Sequence, residues 1–315
     1  MKITVIGCGR WGSFIAWYLD SIGHSVTLYG LSKADDYKQL KSTRTNGMVK
    51  LSENISLTTS LLSTKDADCI VVSIPSQNLS SLMNELKVFA ISSKPIVLCM
   101  KGIDIDSGRR LSEIASEQFY NVAVWVGPGH VQSFVKGEPG CMVIDSINRN
   151  LTKHLINEFQ SPKMRFYIGN DIIGSELGAA TKNIMGIAAG MLDGLGFTSL
   201  KGPLMARGPA EIYRFIEAMG GNGRSAYGLC HLGDYEATLF SPFSHNRAFG
   251  ENFIKNKQFD KLAEGCYTVK AVFGLAEKYN IDLPICSSVY RVIYENVNVK
   301  DEIENLFKRS LKTEF

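Results

Sequence analysis

Over its first half the chain alternates between short runs of apolar, β-branched residues and longer stretches with helical spacing. Residues 2–6, 25–29, 68–74, 95–99, 122–126, 141–145 and 165–168 read as strands. Runs such as IVVSI (70–74) and PIVLC (95–99) show no polar alternation. Both faces of those strands must therefore be covered, as in a parallel sheet wrapped by helices. From Gly174 the pattern turns helical with almost no strand-like runs, as in GSELGAATKNIMGIAAGMLDGL and LAEGCYTVKAVFGLAEKY. The pattern predicts an α/β fold, a doubly wound and mostly parallel sheet followed by an all-helical C-terminal domain. The turn signal IGND puts the boundary near Asn170, giving parts 1–170 and 171–315. No Pro/Gly/Ser-rich linker separates them, so they pack closely and leave a cleft.

One segment carries chemistry at once. Gly7-Cys8-Gly9-Arg10-Trp11-Gly12 follows the first strand and opens an amphipathic helix reaching about Ile22. In a strand-turn-helix setting this is the G-x-G-x-x-G turn of a Rossmann-like fold. Gly7 permits the turn, Gly9 lets backbone N–H groups approach a pyrophosphate, and Gly12 allows helix and strand to close up. Gly7, Gly9, Arg10, Trp11 and Gly12 are assigned to a dinucleotide. The second strand ends in Tyr29-Gly30-Leu31-Ser32-Lys33 without the acid that selects a ribose 2′-hydroxyl, and Ser32 and Lys33 lean the choice to NADP over NAD.

Composition narrows the class. At 315 residues the chain has room for two cores. A net charge of +3 arises from 34 basic and 31 acidic residues without a basic block, which suits a small anion and excludes nucleic acid as the expected partner. Cys8, Cys69, Cys99, Cys141, Cys230, Cys266 and Cys286 form no C-x-x-C pair and read as reduced thiols, with no metal implied. No apolar run reaches the roughly 18 residues of a membrane span, and no signal peptide opens the chain. A cytoplasmic protein without membrane insertion is expected.

The run ELGAATKNIMGIAAGMLDGLG, then ARGPAE and GLCHLGDYEAT…SHNRAFG, resembles the NAD(P)-dependent glycerol-3-phosphate dehydrogenases. The likeness takes in the glycine turn, Met100-Lys101-Gly102-Ile103, Gly127-Pro128-Gly129-His130 and Ala263-Glu264-Gly265, and covers nearly the whole chain. The resemblance implies reduction of dihydroxyacetone phosphate to sn-glycerol 3-phosphate, a phospholipid precursor, by an oxidoreductase of the EC 1.1.1 class. It implies that Lys182 transfers the proton and that Lys101 contacts substrate and cofactor. Asp234 and Thr238 match the family's G-D-x-x-x-T, Ser244 and Asn246 its S-x-N, and Glu264 a cofactor contact. Asn183 and Gly127, inside matched segments, join the substrate group. A homodimer is the expected assembly.

Ketone reduction builds charge on the carbonyl oxygen, and a lysine whose ordinary value near 10.4 is lowered by burial or a second cation both donates to that oxygen and delivers a proton. Lys182 stands among Ala179, Ala180, Ile184 and Met185, and Lys101 at the carboxyl end of a strand, where ligands of such sheets collect. Three departures stand out. His245 replaces the phosphate-gripping Arg of S-R-N, Gly129 replaces a serine, and Thr198-Ser199-Leu200-Lys201 replaces D-N-T-K. The phosphate is then held by a His245 imidazolium, by Arg247, or the substrate bears another group. That leaves a different phosphorylated or phosphonate ketone as the alternative substrate, and a dinucleotide sensor without turnover as a third reading.

Overall fold

The computed structural model describes residues 1–311 and 313. Its strands are β1 (Lys2–Ile6), β2 (Ser25–Tyr29), β3 (Ser56–Thr58), β4 (Cys69–Val72), β5 (Ile96–Leu98), β6 (Val122–Val126), β7 (Gly140–Asp145) and β8 (Met164–Ile168). They form one sheet in the order β3-β2-β1-β4-β5-β6-β7-β8. All neighbours run parallel except β6 and β7, which pair antiparallel. The helices of this half are α1 (Arg10–Ser21), α2 (Asp35–Thr43), α3 (Leu79–Leu86), α4 (Leu111–Ser116), α5 (Val131–Val135) and α6 (Arg149–Phe159).

The unbroken apolar strands do what their pattern requires. Ile3, Val5, Val71, Val97, Ala123 and Trp125 face one core with Phe14, Leu155 and Phe159 of α1 and α6. Ile6, Ile70, Val72, Ile96, Leu98 and Val124 face a second, with Leu79 and Met83 of α3 and Ile114 of α4. The expected strands all form, some a residue or two shorter or longer. The three-residue edge strand β3 was not expected, because Ser56-Leu57-Thr58 is too short and too polar to stand out.

The helical half comprises α7 (Ile172–Leu195), α8 (Lys201–Ala218), α9 (His245–Ile254), α10 (Glu264–Tyr279), α11 (Pro284–Tyr294) and α12 (Val299–Phe307). Its axis is α7, whose 24 residues span about 36 Å at the standard rise. Ile172 and Ala179, near its start, pack into the second sheet core, whereas Ile184, Ile187 and Met191 lie in the helical core. One helix thus belongs to both halves and fixes them around the cleft. α9 crosses it at close range, since a Cβ on Gly190 would meet the Arg247 carbonyl oxygen at 1.9 Å. Among the described residues no helix is long and apolar enough to cross a membrane.

Candidate active site

The carboxyl ends of β1, β4 and β5 open onto a cavity of about 890 Å³ whose far wall comes from α7, the 237–246 segment and the start of α10. That volume lies high in the roughly 300–1,000 Å³ range of small-molecule sites, room for a dinucleotide and a small second ligand. At one end the glycine turn is dictated by space. Gly7 has φ +112°, and a Cβ there would meet the Ser73 carbonyl oxygen at 2.1 Å; one on Gly12 would meet the Gly7 oxygen at 1.9 Å. Gly9 differs, because a Cβ there meets nothing nearer than Asp36 Oδ2 at 3.7 Å. No neighbour within the chain demands glycine at position 9. The bare backbone faces the cavity at the N-terminus of α1, the arrangement that receives a pyrophosphate. Trp11 flanks the turn, packed on Phe14 with ring centroids 5.1 Å apart.

At the other end lies a cluster of charge. Lys101, beyond β5, donates to the Gly127 carbonyl oxygen at 2.9 Å and to Asp234 Oδ2 at 2.8 Å. Lys182 of α7 forms an ion pair with the same Oδ2. Asp234 is fully buried, and its Oδ1 has no partner within the protein. Burial pulls Lys182 from its ordinary value down to about 7, and Lys101 pushes the same way while Asp234 opposes both. Two cations sharing one carboxylate oxygen leave a net positive charge in a poorly solvated corner, the setting in which an oxyanion is stabilised and a proton is loosely held.

The elements behind the cluster hold it in place. Asp234 ends a short helical turn, Leu232–Asp234, and Thr238 donates to the Asp234 carbonyl oxygen at 2.6 Å. His231 is fully buried, and burial brings its pKa down to about 4. With its Nδ1–H assigned to the Gly178 oxygen at 2.9 Å, its Nε2 accepts from Tyr235 Oη at 2.7 Å. This neutral ring ties the Asp234 turn to α7. Asn246 accepts from the Gly265 N–H at 2.9 Å, and Ser244 caps α9 through the Arg247 N–H. Glu264, first residue of α10, accepts from the Ser76 N–H at 3.2 Å and from Ser76 Oγ at 2.6 Å, clasping the helical half to the loop after β4. Burial raises its pKa.

Gly7, Gly9, Arg10, Trp11, Lys101, Lys182, Asn183, Thr238, Ser244, His245, Asn246 and Glu264 all line this cavity, and Asp234 lies directly beneath it. Five other expected residues, Gly12, Ser32, Lys33, Gly127 and Arg247, do not line it. Gly12 and Gly127 shape it from behind, the latter through the carbonyl that receives Lys101. Ser32 and Lys33 are exposed and outside the lining, while the Asp36 carboxylate lies beside Gly9 within it. The choice between NAD and NADP thus involves Asp36 within the lining as well as Ser32 and Lys33 outside it. Arg247 is likewise turned elsewhere. Its guanidinium bonds Asp193, Glu251 at 3.2 Å and the Ser241 carbonyl at 3.2 Å, so it secures α9 to α7 instead of facing a ligand. Lys201 donates to the same Asp193 carboxylate at 2.7 Å.

His130, the last residue of the matched Gly127–His130 segment, lines the cavity with a buried Nε2 that has no partner. Burial lowers its pKa and the Lys182 charge lowers it further, against the raising influence of Asp234. The signals for it were its place after a strand end and its position in a matched segment. The departure at Gly129 has a steric reason. Its φ is +141° and a Cβ would meet the Phe134 ring at 2.2 Å, a ring that stacks on Phe14, so a serine does not fit this packing.

A dinucleotide turn facing a buried, acid-anchored lysine pair is the equipment of a nicotinamide-dependent dehydrogenase. The family described as NAD-dependent glycerol-3-phosphate dehydrogenase matches the chain with its N-terminal part over residues 2–152 and its C-terminal part over 171–304. A glycerol-3-phosphate dehydrogenase [NAD(P)+] of Fusobacterium nucleatum is 34% identical over 331 residues, covering 100% of this chain and 98% of its own. One from Prosthecochloris aestuarii is 35% identical over 334 residues, covering 100% of both. The crystal structure of glycerol-3-phosphate dehydrogenase from Coxiella burnetii superposes with a TM-score of 0.92 at 26% identity, covering 98% of this chain and 99% of that one. The chain belongs to the NAD-dependent glycerol-3-phosphate dehydrogenase family.

Proposed function

We propose that this protein interconverts dihydroxyacetone phosphate and sn-glycerol 3-phosphate with a nicotinamide dinucleotide, making the glycerol phosphate from which glycerophospholipids are built. The carrying observation is the Lys101–Asp234–Lys182 cluster across the cleft from the glycine turn. The named activity of the Fusobacterium and Prosthecochloris relatives supports the same reading.

The turn at Gly7, Gly9 and Gly12, the N-terminus of α1 and Glu264 would hold the dinucleotide, which when bound supplies the hydride in reduction. Lys182 donates to the substrate carbonyl oxygen, stabilises the charge growing there and passes it the proton, becoming a neutral amine that solvent reprotonates. With its pKa near 7 the same group accepts the proton in the reverse direction. Lys101 keeps a second positive charge beside the oxyanion, and Asp234 holds both nitrogens at fixed positions. His130, with an unpartnered ring nitrogen, offers a hydrogen-bond partner to a substrate hydroxyl.

Between the two dinucleotides we assign the preference to NADH. A carboxylate beside Gly9 accepts from a ribose 2′-hydroxyl and repels a 2′-phosphate, and Asp36 is so placed. A different phosphorylated or phosphonate ketone is not favoured, since the substitution at Gly129 follows from the packing of Phe134. A sensor without turnover is not favoured either, with both lysines bound to one acid. The parts 1–170 and 171–315 act as cofactor and substrate lobes. We assign the protein to the cytoplasm and to a homodimer, for which light scattering should give about twice 34.8 kDa.

The test is consumption of NADH by the purified protein when dihydroxyacetone phosphate is added. Turnover is expected, with Lys182→Met lowering kcat by roughly 10²–10⁴-fold. No consumption with either reduced cofactor would contradict the reading.

A further inference from the structure

A phosphate-bearing substrate needs a countercharge, and the cleft offers few. Arg10, Lys101, His130, Lys182 and His245 are the lining residues able to carry positive charge. Lys101 and Lys182 are bound to Asp234. His130 and His245 are both held below the ordinary imidazole range, chiefly by burial. A guanidinium, charged throughout the working pH range, is the stronger countercharge. Arg10 remains. It is the first residue of α1, half-buried in the cavity wall, and among the described residues neither a hydrogen bond nor an ion pair engages its guanidinium.

The position of this guanidinium is informative. Its charge is felt at His130, where that of Lys182 is felt too, and at His245, where Lys261 also acts, and both histidines line the cavity. The acids of the lining are no match for it. Glu264 is tied to Ser76, Asp36 lies by Gly9, and Glu85 is an exposed residue of α3 that forms no ion pair with Arg10. A pyrophosphate on this turn is already met by backbone N–H groups and a helix N-terminus. A partly desolvated, unpaired guanidinium is a standing electrostatic cost that an anion relieves, and its planar fork matches two oxygens of a phosphate.

We propose that Arg10, which its place in the glycine turn had assigned to the dinucleotide, instead grips the substrate's terminal phosphate, in place of the His245 imidazolium or Arg247 that the sequence suggested. Its ligand class is a short ketone or alcohol ending in a dianionic phosphomonoester. The substrate's identity rests on the reading above; the anion site does not. One consequence is that cofactor and substrate are read by a single turn, its backbone facing one and its first side chain the other.

The experiment is calorimetric titration of the NAD⁺-loaded protein with glycerol 3-phosphate and with inorganic phosphate, beside titration of the unloaded protein with NAD⁺. Arg10→Gln should weaken both phosphate ligands at least tenfold and NAD⁺ less than threefold, and raise the KM for dihydroxyacetone phosphate at least tenfold. Arg10→Lys, which keeps charge and stem but loses the fork, should fall between, and carries the comparison should Arg10→Gln misfold. Unchanged phosphate affinity, a loss for NAD⁺ as large as that for phosphate, or no phosphate binding by the unaltered protein would each overturn the proposal. Arg10-dependent phosphate binding without turnover of dihydroxyacetone phosphate would uphold this site and sink the proposed reaction. Turnover with an unmoved KM in Arg10→Gln would do the reverse.

Discussion

Lys182 owes its chemistry to a balance of opposed environments. Burial and the neighbouring Lys101 ammonium draw its pKa down, and the buried Asp234 carboxylate keeps it from falling further. The lysines and Asp234 were legible in the sequence because they sit in matched segments, but the sharing of one oxygen was not, since residues 101, 182 and 234 meet only in the fold. His130 and Asp36 were missed for a related reason. Each depends on what the cavity wall turns inward, and sequence spacing gives no sign of it. Asp36 carries a prediction at this scale. Asp36→Ser removes the carboxylate beside Gly9, so the ratio of kcat/KM for NADPH to that for NADH should rise at least tenfold. A ratio unchanged in the variant would mean that Asp36 does not read the ribose.

Elements place these side chains, and the glycine turn shows how. The strand-turn-helix signature was plain in residues 2–21, and β1, the turn and α1 form where expected. Which glycines serve the fold and which the ligand is visible only in three dimensions. Gly12→Ala drives a Cβ into the Gly7 carbonyl, so it should lower the urea midpoint by an amount worth about 1–3 kcal/mol, the ordinary cost of overpacking. Gly9→Ala meets no close neighbour and should leave that midpoint nearly unmoved while weakening dinucleotide binding at least tenfold in a fluorescence titration. Equal destabilisation by both would show that Gly9 is a folding residue. The edge strand β3 and the antiparallel β7 were less legible. The first is three residues long, and strand direction is decided by the path of the chain between strands, which local apolar patterning does not encode.

At the scale of the whole molecule, α7 makes the two halves one machine. Its first turns lie in a sheet core, its later turns in the helical core, and Lys182 stands between, facing the cleft. The Glu264–Ser76 clasp closes the opposite side, so the lysine pair and the glycine turn keep a fixed separation before any ligand arrives. The change from strand to helical periodicity in the sequence corresponds to the change from sheet to helices in the fold. It gave no hint that a buried His231–Tyr235 bond behind the site steadies the Asp234 turn, because both residues look like ordinary core from sequence.

The central claim is that Lys182 delivers the proton from an ammonium poised near neutrality, and the pH dependence of kcat/KM for ketone reduction tests it most directly. Reduction needs the protonated form, so the rate should decline about tenfold per pH unit above about 7, and the oxidation of glycerol 3-phosphate should decline below it. The apparent value belongs to the coupled cluster. In Asp234→Asn the upward influence on Lys182 is gone, so the reduction limb should move to lower pH. Taking the difference between the two proteins cancels the ionisation of the substrate's own phosphate. A limb that stays in place in Asp234→Asn, or a reduction rate flat from pH 6 to 9, would contradict the account.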